Sequence, residues 1–84
     1  MEDKQKKYLD KVVEFLERGT RMDYDKETVY YPYSSDLFFF FTPFPSFTFF
    51  YKYCKNVYGL TSQEIGYVWN QYKDIILDKI NNGK

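Results

Sequence analysis

Three carboxylate side chains stand at alternate positions, at Asp23, Asp25 and Glu27, and lie on one side of the chain if this segment is extended. Carboxylate oxygens are the ligands that a divalent cation takes. The segment does not fit a calcium-binding loop, because Thr28 occupies the position that requires glycine and Ser34 the position that requires glutamate. We interpret it as a solvated linker, and the sequence predicts neither a metal site nor a cofactor.

The groups available for nucleophilic catalysis have no activating partner in the sequence. The chain contains no histidine, the commonest general base, and its single cysteine is Cys54. It also has no phosphate-binding loop and no zinc-ligand spacing. We expect Cys54 to be a small buried hydrophobe rather than a reactive thiol. The sequence predicts a non-enzymatic protein without catalytic residues.

A second candidate site is the segment 53–65, which is similar to the helix–glycine–turn–helix pattern of DNA-binding domains. Gly59 stands at the turn, but Lys55 occupies a position where the first helix should carry a small residue. The resemblance implies a DNA-binding regulator that uses residues 47–80, with a reading face made of Gln63, Tyr67, Asn70, Gln71 and Lys73. Twelve basic residues balance twelve acidic ones, so the positive field that attracts phosphates is weak. Nucleic acid is therefore the alternative partner and not the first.

The segment 28–51 contains twelve aromatic side chains in twenty-four positions and a single charge, Asp36. Consecutive residues of a strand point to opposite faces, and those of a helix turn by about 100° each. Four successive phenylalanines, Phe38 to Phe41, therefore cannot all face one core. We expect one or two of them to point outward, and exposed aromatic surface usually marks a contact with a protein or a membrane.

The predicted contact surface consists of aromatic side chains from this segment: Phe38, Phe39, Phe40, Phe41, Phe44, Phe47, Tyr30, Tyr31 and Tyr33. We expect a small protein-interaction or assembly protein that binds another protein, or itself, through this surface. Peripheral attachment to a membrane is the third candidate function. The longest weakly polar run, residues 37–51, is shorter than the roughly twenty residues of a spanning helix, so no transmembrane segment is predicted.

Hydrophobic periodicity predicts a mainly α single domain of residues 1–84 that positions this surface. Three helices are expected, at about 3–18, 47–58 and 62–80. An aromatic-rich irregular segment or a short β-hairpin should connect the first two helices. Within it, residues 37–41 fit either a strand or one helical turn.

Local signals define the helix ends. Gly59 should end the second helix, and Thr61 and Glu64 form a capping-box sequence at the start of the third. The first and third helices should pack by their apolar stripes, with Phe15 and Trp69 central.

Composition gives an expectation about origin and location. Residue types with A/T-rich codons (Phe, Tyr, Lys, Asn and Ile) make up 37 of 84 positions, which indicates an AT-rich genome such as that of a virus, phage or mobile element. The first residues do not resemble a signal peptide. We therefore expect the protein in the cytoplasm of a host cell, or in a virion.

Overall fold

The computed structural model describes residues 2–33, 38–41 and 46–83, and within strand Phe38–Phe40 the side chains of Phe38 and Phe39 are not described. The described residues form three helices and three short strands. The helices are α1 (Asp3–Gly19), α2 (Phe47–Tyr58) and α3 (Ser62–Gly83), and the strands are β1 (Arg21–Asp23), β2 (Thr28–Tyr30) and β3 (Phe38–Phe40). The prediction of a mainly α domain of three helices with a β segment between the first two is confirmed.

The predicted signals at the junction of α2 and α3 have the expected geometry. Gly59 ends α2 in the left-handed conformation, with φ of 66°, and the Leu60 N–H donates to the Cys54 carbonyl at 3.4 Å. The Glu64 N–H donates to the Thr61 hydroxyl at 3.2 Å, while the Thr61 N–H donates to the Glu64 carboxylate at 2.8 Å. This reciprocal pair satisfies amides that a helix start otherwise leaves without partners.

The three strands form one antiparallel sheet in the order β1–β2–β3, so residues 38–40 are a strand and not a helical turn. Val29 is fully buried on the core face of β2. Side chains alternate along a strand, so Thr28 and Tyr30 point to the opposite face. Phe40 lies directly across from Thr28 and shares that outer face, on which Thr28 is buried and Phe40 is exposed. Strand β1 was not predicted, since its three residues carry no alternating apolar pattern.

Helices α1 and α3 lie side by side and run in the same direction. Near their starts, the Gln5 amide donates to the Glu64 carboxylate at 2.8 Å. Near their ends, the Lys79 ammonium pairs with the Glu17 carboxylate at 3.2 Å. The core between the helices contains Leu9, Val12, Val13 and Leu16 from α1 and Ile65, Val68, Tyr72, Ile76 and Ile80 from α3.

The prediction that Phe15 and Trp69 meet at the centre of this interface was wrong. Phe15 is 53% exposed, because Leu16 and its neighbours fill the buried arc of α1 and Phe15 lies about 100° away from Leu16. Trp69 is half-buried and packs against rings of α2 instead, with centroids 4.9 Å from those of both Phe47 and Phe50. Within the described residues, no helix has the length and apolar character needed to cross a membrane.

Candidate interaction surface

Two of the predicted contact residues carry exposed rings. Phe40 is 71% exposed on the outer face of β3, which is an edge strand of the sheet. Phe47, in the first turn of α2, is 47% exposed and has its ring edge-to-face on Trp69. The expectation that at least one ring of the four-phenylalanine run points outward is confirmed by Phe40.

Two further predicted residues are half-buried beside the sheet. The Phe41 ring packs on Tyr24, with centroids 5.3 Å apart, and the Phe41 N–H donates to the Glu27 carbonyl at 3.0 Å. The Arg21 guanidinium lies 5.1 Å from the centre of the Tyr30 ring, a distance at which the cation and the π-system attract one another. Both rings therefore have partners within the fold and present only one side to solvent.

Tyr31 and Tyr33 lie in the core rather than on the contact surface to which the sequence assigned them. They are 4% and 7% exposed, and the Tyr33 ring stands edge-to-face on Phe50 with centroids 5.4 Å apart. The reason is the route of the chain: Pro32 rests against Gly19, where an added Cβ would come within 2.8 Å of the Pro32 Cβ. The absence of a side chain at Gly19 lets this segment pack against the end of α1.

The buried tyrosines bring hydroxyl groups into the core. The Tyr72 hydroxyl and the Thr20 hydroxyl lie 2.5 Å apart, and the Thr20 hydroxyl also donates to the Leu16 carbonyl at 2.8 Å. Burial raises the pKa of Tyr72 and, more strongly, that of Tyr33 above the ordinary range. These phenols therefore stay protonated, and they are unsuited to act as bases or nucleophiles at neutral pH.

Cys54 is fully buried, as the sequence predicted. Burial raises the pKa of its thiol to about 12, so the reactive thiolate is scarce at neutral pH. Tyr58, at the end of α2, also has its pKa raised to about 12, mainly by burial and by the neighbouring Tyr53 hydroxyl. Neither the Cys54 thiol nor the Tyr58 phenol is therefore both exposed to solvent and deprotonated at neutral pH.

Three predicted contact residues cannot be placed on the surface. Phe44 lies outside the described residues, and for Phe38 and Phe39 the structure describes the strand but not the side chains. The exposed rings among the described contact residues are therefore Phe40 and Phe47, while Phe41 and Tyr30 are half-buried.

The face of α3 that the helix-turn-helix resemblance assigns to DNA is partly covered by α1. The Tyr67 hydroxyl and the Gln71 amide both donate to the Asp10 carboxylate, at 3.2 and 3.5 Å. Gln63 and Asn70 are exposed, and Lys73 is half-buried. Because Asp10 engages two of these five side chains and adds negative charge beside them, the arrangement disfavours the approach of DNA phosphates.

The alternating carboxylates lie in and after β1, at the tip of the first hairpin. The Asp23 carboxylate accepts a hydrogen bond from the Lys26 N–H at 3.1 Å, which closes the turn. Glu27 follows with φ of 53°, a left-handed conformation that completes the reversal into β2. Among the described residues there is no group of three acidic, cysteine or histidine side chains arranged to hold a metal ion.

Among the described residues, five exposed apolar side chains were not included in the predicted contact: Tyr8 and Phe15 on α1, Tyr24 after β1, and Phe49 and Val57 on α2. The sequence predicts Phe15 at the centre of a buried stripe, and Tyr8 lies on the same side of α1. Their position at its margin was the available signal, since residues at the edge of an apolar stripe are the first to be left uncovered.

Comparisons with protein-family models, with curated proteins and with solved structures find no match to this chain.

Proposed function

We propose that this chain is a small non-enzymatic protein that binds another protein, or a second copy of itself, through aromatic side chains of β3 and the first turn of α2. The observation that carries the proposal is the 71% exposure of Phe40. A phenylalanine contributes a large apolar area, and leaving most of it in water loses that contribution to folding. Interfaces are enriched in such rings relative to the rest of the surface.

The position of Phe40 strengthens this proposal. Strand β3 is an edge of the sheet, and edge strands carry backbone groups that can pair with another chain. Natural proteins commonly protect such edges with charged residues. The three residues of β3 are all phenylalanine, so this strand has apolar side chains where charged ones would oppose association.

Phe47 is the second exposed ring of the proposal and lies in the next described element. It lies six residues after Phe41 at the start of α2, and its ring is held edge-to-face on Trp69. A ring already fixed by a neighbour loses little conformational entropy when a partner covers it, which favours binding.

The proposed setting follows from composition. The abundance of A/T-rich codons supports a role in a virus, phage or mobile element with an AT-rich genome, as an assembly component or a host-directed accessory factor. The site of action would be the cytoplasm of the host cell, or the virion.

The test uses Phe40→Ser, compared with the wild type by light scattering on a sizing column and by far-UV circular dichroism. Only about 60 Å² of the Phe40 ring is buried, so the substitution should cost less than about 1.5 kcal/mol of stability. We expect the wild type to associate and Phe40→Ser to be a folded monomer. Phe15→Ser is the control for an exposed ring elsewhere. A monomeric wild type, together with a Phe40→Ser variant that unfolds, would mean that Phe40 stabilises the core, and the proposal would fail.

A further inference from the structure

A second apolar surface lies between α1 and α2, and it involves none of the residues proposed above. Tyr8 and Phe15 are seven residues apart, so they lie within about 20° of one another on α1. Phe49 and Val57 are eight residues apart on α2, with Tyr53 between them, and form a ridge of four-residue steps. Tyr8, Phe15, Phe49 and Val57 are 46%, 53%, 42% and 57% exposed, and we call their common surface the α1–α2 face.

The exposed side chains of α1 (Tyr8 and Phe15) and those of α2 (Phe49 and Val57) form two rows, which meet at the end of α2. The Tyr8 hydroxyl donates to the Tyr58 carbonyl at 3.1 Å, so Tyr8 reaches the end of α2, where Val57 precedes Tyr58 in the chain. The Tyr53 ring packs edge-to-face on the Tyr58 ring, with centroids 5.8 Å apart. Tyr8 of α1 and the aromatic end of α2 are therefore linked at this point.

The rows are also connected at the other end of α1. Gly19 lies one turn beyond Phe15 on the same side of the helix and abuts Pro32. The next residue, Tyr33, packs on Tyr53 of α2, with centroids 6.4 Å apart. The segment 31–33 thus fills the space between the two helices and forms the floor of the α1–α2 face.

Basic residues border this face on both sides. On α1, Lys4, Lys11 and Arg18 stand three or four positions from Tyr8 or Phe15, on the solvent side, and on α2 Lys52 stands three positions after Phe49. All four are exposed. Arg18 pairs with Glu14 at 2.6 Å, so its charge is balanced, and the positive charge of the rim lies on Lys4, Lys11 and Lys52. The face therefore combines an apolar centre with a positive rim.

We propose that the α1–α2 face binds an acidic amphipathic helix of a partner protein. The length fits, because Tyr8 and Phe15 are separated by roughly 10.5 Å along the helix axis, the distance between the outer anchors of an i, i+4, i+7 pattern. The charge fits as well, since glutamates beside those anchors would lie next to Lys4, Lys11 and Lys52.

A second copy of this chain is a poorer occupant. Two such faces brought together would place lysine beside lysine, and like-charge repulsion disfavours that arrangement. A lipid surface fits less well, because the Tyr8 hydroxyl is bound to the Tyr58 carbonyl and more than half of the Phe49 ring is covered, so these rings lie along the surface and do not protrude from it.

The proposal is tested with a synthetic helical peptide of about four turns, carrying leucines at i, i+4 and i+7 and glutamates beside them. Its binding to the full chain is followed by fluorescence anisotropy, and the same peptide with lysines in place of the glutamates is the charge control. We expect saturable binding of the acidic peptide in the micromolar range, weakened by salt, and no saturation with the lysine peptide.

Variants locate the site. Phe15→Ser, Val57→Ser and Lys11→Glu should each weaken binding about tenfold, while Phe40→Ser on the outer face of the sheet should leave it unchanged. If Phe15→Ser loses its far-UV circular dichroism and is therefore unfolded, Val57→Ser and Lys11→Glu still test whether the peptide binds at this face.

Four outcomes would overturn the proposal. They are failure of the acidic peptide to bind, equal binding of the lysine peptide, a wild-type dimer that Val57→Ser dissociates, and flotation with phosphatidylserine vesicles in place of peptide binding. Loss of association through Phe40 would leave this proposal standing, since the two surfaces are tested by different variants.

Discussion

Raising the pH should unfold this protein, because its buried phenols and thiol lose their protons more readily in the unfolded chain. Tyr33 and Tyr72 are 7% and 0% exposed, and Cys54 is fully buried. Burial raises the pKa of each above its ordinary value, to about 12 for Cys54. The unfolded chain releases these protons near the ordinary values of about 8.5 for cysteine and 10 for tyrosine. Stability is therefore intact below about pH 8 and falls as the pH rises above these values.

The size of this effect follows from the number of groups. Each proton that the folded chain keeps and the unfolded chain loses lowers the free energy of unfolding by about 1.4 kcal/mol per pH unit. Above about pH 10, the three buried groups together give about 4 kcal/mol per pH unit, to which the half-buried Tyr58 adds a smaller amount. By pH 10 the thiol alone has already lowered the free energy of unfolding by about 2 kcal/mol. A chain of 84 residues has a free energy of unfolding of roughly 4 to 13 kcal/mol. We therefore expect the alkaline unfolding midpoint between about pH 10.5 and 13.

The assay follows far-UV ellipticity and the ultraviolet absorbance of tyrosinate in the same titration. We expect the last part of the tyrosinate signal to appear together with the loss of helix. Tyr72→Phe removes one of the three groups and should reduce the pH dependence of stability by about a third, to about 2.7 kcal/mol per pH unit. Full ionisation of the tyrosines near pH 10 with unchanged ellipticity would refute the reasoning, because the phenols would then be accessible in the folded state.

Four substitutions and one chemical modification test individual features. Gly59→Ala should cost about 1 kcal/mol in urea unfolding, all of it from the left-handed backbone, since nothing lies within 4 Å of an added Cβ. Thr61→Ala should also cost about 1 kcal/mol, through the lost capping bond, and should lower the melting temperature. Leu16→Ala should cost about 2 to 5 kcal/mol, whereas Phe15→Ala should cost less than about 2.5 kcal/mol because half of its ring is already in water. Cys54 should react with a thiol reagent only in proportion to the unfolded fraction, so a fast reaction in the absence of urea would contradict its burial.

The junction of α2 and α3 was predictable because its interactions are local. Gly59 supplies a conformation that few other residues adopt readily, and Thr61 and Glu64 bond to one another's backbone within a single turn. Every atom involved lies within a few residues along the chain. No knowledge of tertiary packing is needed to foresee such an arrangement.

The burial of Tyr31 and Tyr33 was not predictable in the same way. Both belong to a run of aromatic residues that offers no periodicity, and their place in the core depends on Gly19, which lies more than ten residues earlier. The local pattern around Gly19 predicts only a helix end. Its second effect, admitting Pro32 against α1, depends on a contact between distant parts of the chain, and no local pattern encodes such a contact.

The sequence of α1 already indicates the exposed face between α1 and α2, through the angular width of its apolar stripe. The apolar stripe of α1, from Tyr8 to Leu16, covers an arc of about 160° when each residue turns by about 100°. A single neighbouring helix typically covers an arc of little more than 100°. Something else must cover the excess. The segment 31–33 and the end of α2, where the Tyr58 carbonyl accepts from Tyr8, cover it incompletely, so Tyr8 and Phe15 remain partly in water. An apolar stripe that is wider than the neighbouring helix can cover thus predicts that the margin of the stripe is exposed. Basic residues beside that margin indicate that a partner binding there would carry negative charge.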